Sequence, residues 1–223
     1  MQNVFLILLE KTGLVGKNVT VLGGGASGFA LWSTIAADRI ASHGSSLKGI
    51  ARSIRDLDRA LFRMIFGVKW APLTSMMRAF TVAGTAGALW GFLAAVGFLL
   101  TGFDLSRLLI PWSAVAASWT VAEGAKYLFN RTRPFLWDTE IAPLIKTPSS
   151  SSFPSGHSAT AAAGAITLSI LYPPFAPALV LAGSLVVLSR VYLGVHFPFD
   201  VLAGIFIGTA TSAVVLAVAS LLA

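Results

Sequence analysis

The feature that most narrows what this chain can become is its series of long apolar runs. Five stretches, about Ala79–Leu100, Leu108–Phe129, His157–Leu171, Pro177–Val195 and Pro198–Leu222, carry few charges and read as membrane-spanning helices. A bilayer core about 30 Å thick takes roughly 20 apolar residues per helix. The third run is short but Ala-rich, and Tyr172-Pro173-Pro174 stops it, because proline has no amide to donate. Val19–Ala37 is Gly-rich and less apolar, and reads as a sixth span. The expected fold is therefore all-α: an integral membrane helical bundle of five to six transmembrane helices plus one amphipathic interfacial helix. Residues 1–50 form an N-terminal segment holding the extra span, and residues 51–223 form the main membrane domain.

Composition agrees. The 223 residues are 56% apolar and 11% charged, against about 25% charged in a typical soluble domain. This excludes disorder, a nucleic-acid tail and an ordinary soluble globule. The net charge of +7 sits between the apolar runs, which favours anionic lipid head groups or phosphate substrates over nucleic acid as partners. With no cysteine, disulfides, thiolate metal sites and cysteine nucleophiles are excluded. Val4–Leu9 is too short, and lacks the charged flank, to read as a secretory leader. Frequent Gly and Ala suit close helix packing in lipid. Trp70, Trp112, Tyr127, Trp137 and Tyr172 fall at the run ends, as an interfacial aromatic belt does.

Two stretches near the N-terminus need separate reading. Ile50–Phe66 places Ile54, Leu57, Leu61 and Ile65 on one helical face and Arg52, Arg55, Arg59 and Arg63 on another. That pattern suits a helix lying in the membrane interface, with a solvated connector as the alternative. Upstream, Gly23, Gly25 and Gly28 follow a strand-like run in the spacing of a dinucleotide-binding turn. No acidic residue ends a second strand about 20 residues on, as that fold requires, so the glycines read as close-packing positions.

Polar residues near the runs gather in three places: Lys126 to Pro134, Ser152 to His157, and Ser189 to Asp200. The end of one span, the start of the next and the following connection but one lie on a single membrane face. Ionisable groups at a bilayer boundary are costly and mark function. That face collects Lys126, Arg133 and Arg190, the imidazoles of His157 and His196, and Asp200. Three cations suit the oxygens of a phosphoryl group. Pro154-Ser155-Gly156 precedes a helix, whose first amides accept phosphate. Asp200 follows His196 by four residues, close enough to orient an imidazole. Each fragment alone has an ordinary reading as a snorkelling arginine, a structural histidine or a turn.

The joint pattern is specific. Lys126-x6-Arg133-Pro134, Pro154-Ser155-Gly156-His157 and Ser189-Arg190-x5-His196-x3-Asp200 match in order and without substitution the three signatures of the type 2 phosphatidic acid phosphatase superfamily. The chain resembles that family from about Leu57 to its end, and its bacterial undecaprenyl diphosphatases and lipid phosphate phosphatases in particular. The resemblance implies a membrane phosphatase acting on a lipid phosphate or diphosphate. It implies His196 as nucleophile, Asp200 on its other nitrogen, and His157 as acid and then base. Lys126, Arg133 and Arg190 would bind the phosphoryl oxygens, helped by Ser155 and the Gly156 amide, with no metal and no other cofactor. Ser189 takes a supporting role. Glu123, one turn before Lys126, is placed to pair with it or to make an ordinary helix pair.

The lipid itself stays open among polyprenyl diphosphate, phosphatidate, phosphatidylglycerophosphate and a polyprenyl-linked sugar phosphate. A lipid-phosphate transporter without catalysis is the rival of another class, and intact His157, His196 and Asp200 argue against it. Oligomeric state is not legible. Many bacterial relatives place the site on the outer face. Here thirteen Lys and Arg lie on the site face against Lys11, Lys17 and Arg107 opposite. The positive-inside rule therefore favours the cytoplasmic face of the cell membrane.

Overall fold

The structure is a computed structural model describing residues 48–222. Val4–Leu9, the Gly23–Gly28 turn and the Val19–Ala37 run lie outside the described residues. By internal packing the chain divides into Met1–Ile54 and Arg55–Ala223.

The described residues contain helices and no strand. Helix α1 covers residues 48–66. It is followed by α2 (Ala71–Ala83), α3 (Ala88–Leu100), α4 (Leu105–Ala125), a single turn α5 (Pro134–Trp137), α6 (Gly156–Leu171), α7 (Ala176–Tyr192) and α8 (Pro198–Leu222). Among the described residues, two helices are long and apolar enough to cross a membrane unaided, Pro173–Tyr192 and Pro198–Leu222. A third candidate is the pair Ala71–Ala83 and Thr85–Leu100, bent by 52°.

The run read as one span over Ala79–Leu100 is thus a broken one. Gly84-Thr85-Ala86-Gly87 interrupts it, with Ala86 at φ 49° and Gly87 at φ 75°. A Cβ at Gly87 would also come within 2.4 Å of Val115 Cγ1, so conformation and space both demand glycine there. Helix α4 starts three residues earlier than hydropathy suggests, because the Asp104 carboxylate accepts the Ser106 amide at 2.9 Å and caps it. It ends at Ala125, which leaves Lys126 at the cap rather than mid-helix.

Helix α6 is the centre of the bundle and packs against α4, α7 and α8. Eleven of its sixteen residues are buried, so its alanines serve as contact surface for three neighbours. Gly204 and Gly208 of α8 let that helix approach: a Cβ would come within 2.4 Å of Ser155 O and 2.3 Å of Ala159 O respectively. Backbone cannot give way as a flexible side chain does. Gly208→Leu is therefore expected to destabilise the protein by at least about 1–3 kcal/mol, read as a lower Tm in detergent. Phe206→Leu on the exposed side of the same helix should leave Tm unchanged. Equal melting of Gly208→Leu and wild type would refute the close contact.

Helix α1 is amphipathic, and the residues it buries against the protein are not those of the apolar face Ile54, Leu57, Leu61 and Ile65 as a set. Phe62 and Asp58 are fully buried, whereas Leu57 is 53% exposed. Phe62 stacks on Phe66 and meets the edge of Phe197. Asp58 is held by an ion pair with Arg131, described below. Pattern reading places a carboxylate on the polar side, and only the buried partner reverses that. On the cationic face, the Arg59 and Arg63 guanidinium groups lie 4.5 and 5.0 Å from the Trp137 ring centroid, a cation–π arrangement. Of the aromatic residues assigned to the belt, Tyr127 is 93% exposed, while Tyr172 packs into the core beside Gly97.

Candidate active site

Four short segments converge on one cavity of about 300 Å³. Lys126 arrives at the α4 C-terminus. Its Nζ donates to Glu123 Oε1 at 2.5 Å and lies 3.4 Å from Ser150 Oγ. Arg133 caps the single turn of α5, where Pro134 occupies the first helical position, a place that needs no amide donor.

The Arg133 guanidinium is 2% exposed and almost fully engaged. Nε donates to Ser150 O at 2.8 Å, Nη1 to Val195 O at 2.8 Å, and Nη2 to Ser151 O at 3.2 Å. Nη1 also lies 3.3 Å from His196 Nε2. A planar fork of five donors fits this set of carbonyls where an ammonium cannot.

Ser155 caps α6. Its hydroxyl accepts the Ser158 amide at 3.3 Å and the Ser158 hydroxyl at 2.9 Å, and its own amide donates to Asp200 O at 3.0 Å. Gly156 and His157 follow in the first turn and line the cavity; the Ser155 hydroxyl is turned to the cap and does not. A Cβ on Gly156 would lie 3.0 Å from Glu123 Oε1, so glycine keeps the α6 N-terminus open next to the Lys126–Glu123 pair.

Arg190 stands in the last turn of α7, 3% exposed. One of its terminal nitrogens donates to Thr81 Oγ1 of α2, while its Nε is buried without a partner among the described residues. Helix α7 stops two residues on, because Gly194 takes φ 82°, the left-handed conformation that ends helices. The Val195 and His196 amides then fold back onto Arg190 O, both at 3.2 Å. This turn sets His196 on the cavity wall beside Arg133 and Arg190. Ser189 is structural, its hydroxyl donating to Val186 O at 2.6 Å.

Burial holds the His196 imidazole well below its ordinary pKa, and the charges of Arg190, Arg133 and Lys126 push the same way. The ring is therefore neutral at pH 7. Its Nδ1 lies 3.6 Å from Asp200 Oδ2, beyond hydrogen-bonding length, and has no other partner among the described residues. Asp200, fully buried in the first turn of α8, accepts the Phe197 amide at 2.8 Å.

Six of the eight residues singled out from the sequence thus line one cavity; Ser155 is turned to the α6 cap, and Asp200 stands directly behind His196. Pattern reading missed two groups. Arg131 donates to Asp200 Oδ1 at 2.7 Å and pairs through its other terminal nitrogen with Asp58. Arg131 lies two residues before Arg133, which was a positional signal; nothing in the sequence marked Asp58. The wall also includes Thr85 and Ala86 from the helix break and Trp119 of α4. Among the described residues, no three of His, Asp or Glu converge as a metal-binding group.

Apolar helices around a cavity that bears three cations and two histidines are the architecture of a helical membrane protein. Residues 107–221 match the PAP2 superfamily. The chain belongs to the PAP2 superfamily. It is 38% identical over 90 residues to an undecaprenyl-diphosphatase of Sulfolobus acidocaldarius, covering 40% of this chain and 44% of that protein. It is 37% identical over 131 residues to a decaprenylphosphoryl-5-phosphoribose phosphatase of Mycolicibacterium smegmatis, covering 57% and 68%. The crystal structure of Aquifex aeolicus LpxE superposes with a TM-score of 0.64 at 27% identity, covering 72% of this chain and 94% of that one. The chain thus spans less than half the length of the Sulfolobus protein and most of the Aquifex one.

Proposed function

We propose that the protein is an integral membrane phosphatase that removes phosphate from a lipid phosphate or diphosphate through a phosphohistidine. The observation that carries this reading is the single cavity in which Lys126, Arg133, Arg190, His157 and His196 meet. In the first step His196 Nε2 attacks phosphorus. The P–N bond forms as the P–O bond to the lipid breaks, and His157 gives its proton to the departing oxygen. Asp200 stabilises the developing positive charge at Nδ1, a small ring movement closing the 3.6 Å gap. In the second step His157 takes a proton from water, the water oxygen attacks phosphorus, and the P–N bond breaks to release phosphate. The cations and the Gly156 amide hold the phosphoryl oxygens throughout; the unpartnered Arg190 Nε is a donor free to do so.

A lipid substrate is supported by an apolar groove of about 390 Å³ between α3 and α4. It is lined by Gly91, Trp112 and Val115 among others and shares Ala86 and Trp119 with the polar cavity. A chain lying there has its phosphate at the histidines. The test is phosphate release by the purified protein in detergent with EDTA, across diphosphate and monophosphate lipids and a short soluble ester. Long-chain substrates are expected to show the lower KM. Equal KM for the soluble ester would remove the lipid from the reading. A polyprenyl-linked sugar phosphate is the second reading, favoured by the Mycolicibacterium relative.

In this reading residues 51–223 form the phosphatase domain, with five to six spans once α4, α6 and the bent pair are counted and Val19–Ala37 is added. The site faces the cytoplasm, as the Lys and Arg distribution favours. A single cysteine introduced at position 146 of this Cys-free chain reports the side: labelling only by an external reagent would reverse the orientation.

The depressed pKa of His196 sets the pH dependence. The nucleophilic form is the neutral ring, so kcat/KM should persist as pH falls through the ordinary imidazole range near about 6.5. Loss should begin only below it, after allowance for the substrate's own second ionisation near about 6. An acid limb above the ordinary imidazole range would contradict the burial seen here.

A further inference from the structure

We propose that Arg131 and Asp58 are positioning residues for the reaction, a buried clamp that fixes the Asp200 carboxylate behind His196. The inference rests on the reading of His196 as nucleophile. Its basis is geometric. Asp200 has two oxygens: Oδ1 accepts Arg131 Nη1 at 2.7 Å, and Oδ2 accepts the Phe197 amide at 2.8 Å while lying 3.6 Å from His196 Nδ1. With Oδ1 tied, the carboxylate cannot rotate, and Oδ2 stays on the histidine side.

Arg131 is in turn held. Its second terminal nitrogen pairs with Asp58 Oδ2, and its guanidinium lies 4.5 Å from the Phe197 ring centroid. The chain around it is fixed too, its amide donating to Ser151 Oγ at 3.1 Å. Asp58 is itself anchored to the same turn, since its Oδ1 accepts the Phe199 amide at 2.9 Å. Both carboxylates are fully buried while Arg131 keeps 27% exposure. Two buried carboxylates share this one guanidinium, and the Asp200 carboxylate presents its charge to the imidazole from the side opposite the three cations. That charge favours the positive ring that forms when His196 bonds to phosphorus. Neither Arg131 nor Asp58 lines the cavity that holds Lys126, Arg133 and Arg190, so their action is on the nucleophile and not on phosphate binding.

The test uses the full chain in detergent. Arg131→Gln and Asp58→Asn are expected to lower kcat on the order of tenfold or more. The inhibition constant of inorganic phosphate should stay at its wild-type value, since the cradle is untouched. The double variant should be no worse than Arg131→Gln alone. Guanidinium ion should restore part of the turnover of Arg131→Ala and none of that of Asp200→Ala. Asparagine at 58 still accepts the Phe199 amide, so that variant carries the test if Arg131→Gln does not fold. Unchanged kcat in both variants, parallel loss of kcat and phosphate affinity, or no restoration by guanidinium would each overturn the clamp. His196→Ala separates the two levels: retained turnover there defeats the nucleophile reading, whereas its loss alongside a fully active Arg131→Gln defeats only this inference.

Discussion

His196→Ala is expected to abolish turnover, lowering kcat by at least about a thousandfold, as removal of a nucleophile from a cooperating constellation does. The substitution removes the Nε2 atom that lies 3.3 Å from Arg133 Nη1 at the cavity wall. It leaves the three cations in place, so phosphate and substrate should still bind. His157→Ala separates the two chemical steps. With a lipid ester, loss of the general acid slows the first step. With a soluble aryl phosphate, whose leaving group needs no proton, the first step proceeds and the second is starved of its base. Labelled phosphate should then accumulate on the protein in His157→Ala and be absent in His196→Ala. Trapping label on the His196→Ala variant would place the nucleophile elsewhere.

Arg133→Lys is expected to be nearly as damaging, and to harm the fold as well as the rate. The guanidinium serves carbonyls from two segments, Ser150 and Ser151 on one side and Val195 on the other. An ammonium satisfies one of these directions at most, and each buried carbonyl left unpaired costs about 1–3 kcal/mol. Because Val195 precedes His196, the same loss frees the turn that aims the nucleophile. Loss of one positioned charge donor costs about 10²–10³ in kcat. The measurements are kcat and Tm together: a lysine variant with wild-type Tm would show that the carbonyl contacts are incidental.

Much of the site was legible because its chemistry is local in sequence. Pro154 to His157 is a helix start, and Asp200 sits in the first turn after a proline; each is written in a few adjacent residues, whereas the span read to Val195 ran past the left-handed Gly194 that ends α7. The fold was legible less evenly. Hydropathy placed α6 and α8 well. It ran through Gly84–Gly87, since an average over apolar residues does not register two left-handed backbone conformations. Asp58 was invisible for a different reason. A carboxylate between Leu57 and Arg59 reads as solvated, and only its partner 73 residues away makes burial tolerable. Arg131 lies inside the Lys126–Pro134 cluster with no pattern to single it out, yet its two bonds run inward to buried acids.

The break between α2 and α3 forms one wall of the cavity, and the first turn of α6 forms another. Helix α6 is packed against α4, α7 and α8, and the glycines at these contacts leave no room for a side chain. The opposite wall, at Thr85 and Ala86, belongs to an elbow in a bent helix. Altering the angle of that elbow would resize the opening toward the groove while the imidazoles stay where they are. In the reading proposed above, the bend of α2 and α3 is then the feature that sets which lipid chains the groove admits.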